Sequence, residues 1–302
     1  MKNLNDIFNI KTSENLNSQL EQTIESLKDG DSGPAYSHLI DLIHDELSQI
    51  PIPKNDSHTL YRFAKLVKLN RGTNIESKPI INDIKTSSLT FGDPTNFNDP
   101  MDPILKEWIN IRVKESYDKI DTKLFKYLSK CIPNIKICCL SKNHIFEKDV
   151  YLNPLMWSHY ANSHRGICIQ YEITKETIDR YSDENQVLRI GSVRYRNHKA
   201  MSDYITLDNA LLAKGDCWGY ENEERLIYYC KKDIRKIREE SRKNNGYISL
   251  DGFNIKAIYL GYRISDIDKK DIVNATKGKN IEIFQMVFDE NDITKLKAIK
   301  VN

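Results

Sequence analysis

The stretch "WGYENEERLIYY", Trp218 to Tyr229, sets two carboxylates, Glu221 and Glu223, two residues apart and puts Arg225 two residues further on. On a strand that spacing sends all three side chains to one face, and Asn222, Glu224 and Leu226 to the other. Two carboxylates on one face raise each other's pKa, and Arg225 opposes that shift. Such a pair can hold a ribose hydroxyl, orient a nucleophile or stabilise a developing cation. A solvated strand could carry the same charge. Here, however, the charge lies beside Trp218 and Tyr220 and runs straight into apolar "LIYY". That arrangement is more typical of a site at a strand's mouth.

Three earlier stretches add chemistry-bearing groups. "MWSHYANSHRGICIQYE", Met156 to Glu172, begins as a helix, with Asn153 suited to its cap and Pro154 to its first turn. Met156 and Tyr160 are i and i+4, as are Leu155 and His159 on the neighbouring face. Trp157 shares the side of Tyr160. Core packing explains much of this, and Met156 is assigned to it. Trp157, His159 and Tyr160 are the residues expected to face a ligand. After Gly166 the chain alternates as a strand. Ile167, Ile169 and Tyr171 face one way, and half-polar Cys168, Gln170 and Glu172 face the other, as on a strand bordering a cleft. "LYRF", Leu60 to Phe63, puts Tyr61 and Phe63 on one face and Arg62 on the other; alone it reads as an edge strand with a solvated arginine. "DPTNFNDPMD", Asp93 to Asp102, is mostly turn chemistry. Within it Phe97 could stack on a flat ligand and Asn98 could bond an amide or hydroxyl. Asp93, Asp99 and Asp102 lack the spacing of an EF-hand.

These side chains must be positioned by a chain of 302 residues with a formal charge of +2, from 45 basic and 43 acidic residues. No block of one sign suggests a dedicated nucleic-acid arm. No signal-peptide run and no apolar span of about 20 residues is present, so a cytoplasmic protein away from the membrane is expected. The six cysteines form no C-x-x-C pair and read as buried free thiols. Residues 1–57 read as an N-terminal helical extension, with Tyr36, Leu39, Ile40, Ile43 and Leu47 at helical spacing. That apolar face needs a partner, either the rest of the chain or a second copy. Residues 58–302 mix many strands with irregularly placed helices, which argues for an α+β domain. Neither G-x-G-x-x-G nor a Walker loop occurs.

Taken in order, "LYRF", "FNDPMD", "LMWSHYANSHRGICIQYE" and Lys214 followed by "WGYENEERLI" resemble the motifs of the bacterial domain-of-unknown-function 2971 family, over roughly residues 58–290. Met101, where the family usually has an aromatic, and Arg62, where lysine is common, depart from it. The order of parts is also similar to ADP-ribosyltransferase-like folds, in which split mixed or antiparallel small sheets grip NAD. That resemblance implies an NAD-consuming enzyme cleaving the nicotinamide–ribose bond, with NAD as substrate and no metal. Glu223, helped by Glu221, would be the catalytic acid, stabilising an oxocarbenium-like cation. Tyr61, Arg62, Phe97, Asn98, Asp99, Trp157, His159, Tyr160, Trp218 and Arg225 would bind the substrate, the arginines meeting the pyrophosphate. It also implies a toxin or anti-phage effector, with an acceptor that is protein or nucleic acid and an antitoxin or second copy at the N-terminal helices.

Two other classes compete. The basic segment Lys231 to Gly246 suggests a non-catalytic nucleotide or nucleic-acid-binding module, although a solvated insertion of mixed charge explains it as well. Asp99, Asp102, His159 and Glu223 could serve a metal-assisted nuclease, without any recognisable ligand spacing.

Overall fold

A run of alternating apolar residues, Ile167–Thr174, forms β6, the strand from which the architecture is built. Ile167, Ile169, Tyr171 and Ile173 enter one core, and Cys168 enters a second on the opposite face. The computed structural model describes residues 22–23, 25, 32–52, 56–66, 68–69, 76–77, 79–94, 97, 102, 130–131, 134–143, 149–196, 207–231 and 247–301. In chain order its strands begin with β1 (Ser57–Ala64), β2 (Lys68–Leu69), β3 (Glu76–Ser77), β4 (Leu89–Phe91), β5 (Lys136–Ser141) and β6. There follow β7 (Gln186–Ser192), β8 (Arg194–Arg196), β9 (Ala213–Gly215), β10 (Glu223–Cys230), β11 (Ile248–Leu250), β12 (Asn254–Leu260), β13 (Glu282–Asp289) and β14 (Asp292–Lys300). The helices are α1 (Ser32–Ser48), α2 (Pro79–Thr86), α3 (Pro154–Tyr160), α4 (Lys175–Arg180), α5 (Leu207–Leu212) and α6 (Asp266–Ala275).

The protein is α+β. Eight strands form one mixed sheet in the order β14-β13-β12-β6-β1-β5-β10-β7, and β11–β4, β2–β3 and β8–β9 are two-stranded satellites. Of the neighbouring pairs in the large sheet, β12–β13 is parallel and the others are antiparallel. The strands therefore join into one large sheet instead of two small ones. β1 lies in its middle, not at its edge, because its outward-looking pattern is covered on both flanks.

One face of the sheet packs on α2, α4 and α6 through Ile80, Ile84, Ile178, Ile272 and Ala275. The other packs on α3 through Met156 and Trp157, with Tyr61, Tyr259, Met286 and Leu296. α3 is short and sharply bounded. Asn153 Oδ1 accepts the Leu155 N–H at 3.0 Å and Pro154 occupies the first turn, as the sequence indicates. Beyond it Asn162, Ser163 and His164 all take left-handed conformations, with φ of 50°, 53° and 67°. This turn drops the chain onto Gly166, where an added Cβ would lie 2.2 Å from the Ala64 carbonyl oxygen. Only glycine lets β6 start so close to the end of β1.

α1 covers the outer strand β7. Leu39, Leu42, Ile43 and Leu47 are buried, and Arg189 Nε and Nη2 donate to the Ser48 carbonyl at 3.3 and 3.2 Å. A helix over an outer strand hides backbone groups that would otherwise pair with another chain. Before α1, the expected N-terminal helical extension lies outside the described residues except for helical residues 22–23 and 25. After α5 the chain does not stay helical: β9 and a 3₁₀ turn, Asp216–Glu221, follow it directly. Of the six free thiols, four are buried as expected, whereas Cys139 and Cys217 are exposed. No described helix is long and apolar enough to cross a membrane.

Candidate functional site

The two halves of the large sheet meet at a single register pair, Tyr61 with Ser141. Past it Arg62, Phe63 and Ala64 continue along β6, while β5 runs away alongside β10. The sheet opens between β1 and β5 into a cleft of about 410 Å³. Tyr61, Arg62 and Phe63 form one wall and Cys138 to Ser141 the other. Lys214, Glu221, Glu223 and Asp102 lie at one end, and Phe97, Met156, Tyr160 and Tyr247 complete the lining. Ser141 pairs with Tyr61 on one side and Glu223 on the other, so the glutamate sits where the sheet starts to part.

Five charged side chains interlock at that end. Lys214 Nζ lies 2.5 Å from Glu221 Oε2, 3.1 Å from Glu223 Oε2 and 3.1 Å from Asp102 Oδ2. Arg225 donates through Nε to Glu223 Oε1 at 2.8 Å, through Nη1 to the Leu211 carbonyl at 2.6 Å and through Nη2 to Asp102. Asn222, left-handed at φ 45°, makes the bend between the two glutamates. Its side-chain amide donates to the Lys142 and Asn143 carbonyls at 3.0 and 3.1 Å. The Glu223 N–H donates to the Tyr195 hydroxyl at 2.7 Å. The glutamates and Arg225 do converge, although Glu221 belongs to the 3₁₀ turn and β10 begins only at Glu223.

The two carboxylates are electrostatically unlike. Burial pushes the Glu223 carboxyl up, but Arg225 and Lys214 outweigh it and bring its pKa down to about 2. Burial also pushes Glu221 up, and here Lys214 and the Tyr160 hydroxyl offset it only in part, so its pKa stays above the ordinary value. Burial alone would discourage charge on Lys214; Glu223, Asp102 and Glu221 reverse that and raise its pKa. Glu223 is thus a firmly ionised carboxylate, and Glu221 holds a proton more readily than an ordinary carboxylate does.

Aromatic groups surround the Glu221 end. The Tyr160 hydroxyl donates to Glu221 Oε1. Lys214 Nζ lies 5.2 Å from the centroid of the Trp218 ring. His159 Nδ1 is 2.7 Å from the Tyr220 hydroxyl, and its ring meets Trp218 edge-on at 6.4 Å. His159 and Trp218 are neighbours of the cleft and not part of its lining. Across the gap Tyr61 accepts a long 3.5 Å bond from Asn143 Nδ2; burial raises its pKa to about 12.

Several expected roles need correction. Trp157 is 0% exposed, donates its indole N–H to the Tyr151 carbonyl at 2.7 Å and meets Phe63 edge-on at 5.3 Å. It is core; Met156, assigned to packing, is buried in the same core and also lines the cleft. Arg225, also 0% exposed, is locked behind Glu223 and Asp102 and presents no edge to a pyrophosphate. Arg62 lines the cleft, but it is anchored at 3.2 Å to buried Asp83, which also accepts from Thr90 and Ser249. Gln170 and Glu172 do not border the cleft: β6 is flanked by β1 and β12, and they bind Tyr259 and Lys256. Phe97 lines the cleft, whereas Asn98 and Asp99 lie outside the described residues. Nearly all of the basic segment after Lys231 does too.

The roles of Lys214 and Asp102 as the counter-charges of the glutamates were not visible in sequence spacing. Lys214 stood only as a motif position, and Asp102 only as one of three loop acids. Among the described residues no set of three His, Cys, Asp or Glu side chains is arranged to hold a metal ion. Compared with known proteins, the chain matches no family model, no curated protein and no solved structure.

Proposed function

We propose that the cleft binds NAD and that the protein cleaves the nicotinamide–ribose bond, as an enzyme of ADP-ribosyltransferase or NAD glycohydrolase type. The observation that carries this reading is the parting of the sheet between β1 and β5, with Glu221 and Glu223 together at one end of the gap. Three carboxylates there face two cations, Lys214 and Arg225, which leaves that end anionic when all are ionised. Departure of nicotinamide leaves positive charge on the ribose. A fixed carboxylate stabilises that charge with no reorganisation at the moment of reaction. Glu223 is suited to this part because it stays ionised. Glu221, with its higher pKa, is suited to accept a hydroxyl proton from the ribose or from the attacking acceptor. Phe97, Tyr61 and Tyr247 offer flat surfaces for the rings of the dinucleotide.

The test is to incubate the purified chain with NAD, with and without cell extract, and to measure nicotinamide. Release is expected, with a loss of at least about a hundredfold in Glu223→Gln. No release under either condition, with the variant indistinguishable from wild type, would sink the proposal. Induced expression should likewise deplete cellular NAD, as a toxin or defence effector of this type would.

One observation favours a second reading. Both Glu223 oxygens are already engaged by Arg225 and Lys214, which suits a rigid nucleotide-binding module without turnover. Quenching of tryptophan fluorescence by NAD without nicotinamide release would select it.

A further inference from the structure

Strand β10 has a second charged end on its other face. There Glu224 Oε1 accepts from Lys142 Nζ at 2.5 Å and from Ser192 Oγ at 2.5 Å. These groups line a separate cavity of about 720 Å³ beneath α1, at the outer edge of the sheet. A second ion pair, Arg194 Nη2 with Asp208 Oδ2 at 3.2 Å, lies in the same lining. Glu46, Gln49 and His58 add further polar groups, and the rest of the wall is apolar, through Ile50, Pro51, Ile190 and Leu212.

The cavity is polar without being satisfied. Arg194 Nε, Asp208 Oδ1 and His58 Nε2 are buried and have no hydrogen-bond partner among the described residues. Leaving such groups unpaired is costly, and native interiors keep few of them. Here three fall in one cavity, and two of them are a donor and an acceptor belonging to a single ion pair.

We propose that this cavity is a second ligand site, for a small molecule carrying both a carboxylate and an ammonium group: a free amino acid or a dipeptide with an apolar side chain. Its charge pattern selects that class. A phosphate or other simple anion would meet Glu46, Glu224 and Asp208 as well as Lys142 and Arg194. A simple cation would meet the two basic groups. A zwitterion places its carboxylate against Arg194 or Lys142 and its ammonium against Asp208 or Glu224, so both ends are paired. The side chain then packs on Ile190, Leu212 and Ile50. Arg194 and Asp208 are only partly buried, with side-chain exposures of 37% and 25%, so they can turn to meet a ligand without opening the core.

The experiment titrates free leucine and leucyl-leucine into the full chain by calorimetry, beside N-acetyl-leucine and leucinamide, each of which lacks one charge. At least one of the two zwitterions should bind. Each single-charge derivative should bind at least about tenfold more weakly, as should the zwitterion to Arg194→Gln and to Asp208→Asn. Unchanged melting temperatures of the two variants would establish that they fold. Binding of neither zwitterion at millimolar concentration overturns the proposal. So does equal binding of the single-charge derivatives, or affinity unchanged in both variants. None of these outcomes depends on whether the cleft between β1 and β5 consumes NAD.

Discussion

Glu223 and Glu224 are neighbours on one strand, and each meets a lysine, yet they stand in opposite electrostatic surroundings. Glu223 shares Lys214 with two other acids, is braced by Arg225, and belongs to a network with almost no solvent contact. Glu224 is also buried, but it meets Lys142, whose side chain is 40% exposed, and Ser192. A charge taken out of water must be compensated by its partners, or the fold loses several kcal/mol. A pair whose cation reaches water has less at stake. The strand's alternation therefore separates a rigid network that holds one geometry from a softer one able to exchange its partners for a ligand. The first suits catalysis or tight positioning, and the second suits binding.

The sharpest way to break this comparison is Arg225→Met. It leaves Asp102, Glu221 and Glu223 facing Lys214 alone, in a site with little solvent contact. Urea denaturation should show a loss of about 3–5 kcal/mol. A loss under about 1 kcal/mol would mean that the network does not hold this part of the sheet together.

Acid should probe the same contrast without mutation. The folded pKa of Glu223 lies below its ordinary value of 4.5, at about 2. A depressed pKa means that the unfolded chain binds the proton more readily, so the stabilisation is present above pH about 4.5 and is lost as pH falls toward about 2. The loss should be on the order of 2–3 kcal/mol in wild type and absent in Glu223→Gln. Glu221, raised by burial, acts in the opposite sense: its contribution is full below its unfolded pKa and falls as pH rises through the folded one. A wild-type acid limb identical to that of Glu223→Gln would contradict the assignment.

A smaller effect is expected from Tyr160→Phe. It removes the hydroxyl that donates to Glu221, a bond that holds the carboxylate's pKa down. The cost in stability should be about 1–2 kcal/mol. The Glu221 pKa should rise further, moving the acid limb of any pH–activity profile upward. An unmoved limb would separate Glu221 from the proton transfer.

The sequence reveals one of these two regions better than the other. Period-two alternation placed Glu221, Glu223 and Arg225 on one side, and the cap and proline at Asn153 and Pro154 located the start of α3. Alternation speaks only about neighbours, however. It could not show that Lys214 and Asp102 arrive from elsewhere to neutralise the pair, or that a single register pair joins β1 to β5. Trp157 was misjudged for a related reason. A seven-residue helix has two turns, and its own spacing does not say which flank meets the sheet. That choice is set by the left-handed turn after it, where three non-glycine residues with positive φ are held by tertiary contacts. The second cavity had no sequence signal, because its charges come from α1, the residue after β5, β8, α5 and β10 and meet only in three dimensions.

The smallest expected effect tests the soft side of the strand. Lys142→Ala removes one half of an ion pair whose lysine is well exposed and whose carboxylate keeps Ser192 as a donor. Side-chain entropy and solvent screening offset most of what such a pair contributes, so the loss should be about 1 kcal/mol or less. High salt should reduce it further. If Lys142→Ala were instead as damaging as Arg225→Met, buried Glu224 would depend on that cation; the backbone of Lys142, which alanine keeps, makes a separate contribution. Its carbonyl is held by the Asn222 amide at 3.0 Å, and its N–H donates to the Asn222 carbonyl at 3.0 Å, directly at the bend that sets both glutamates. Replacing Asn222 with glycine, which keeps the left-handed backbone but removes the amide, would tell the two routes apart. It should cost more than Lys142→Ala if the bend is fixed by the backbone clasp, and no more if the ion pair does the work.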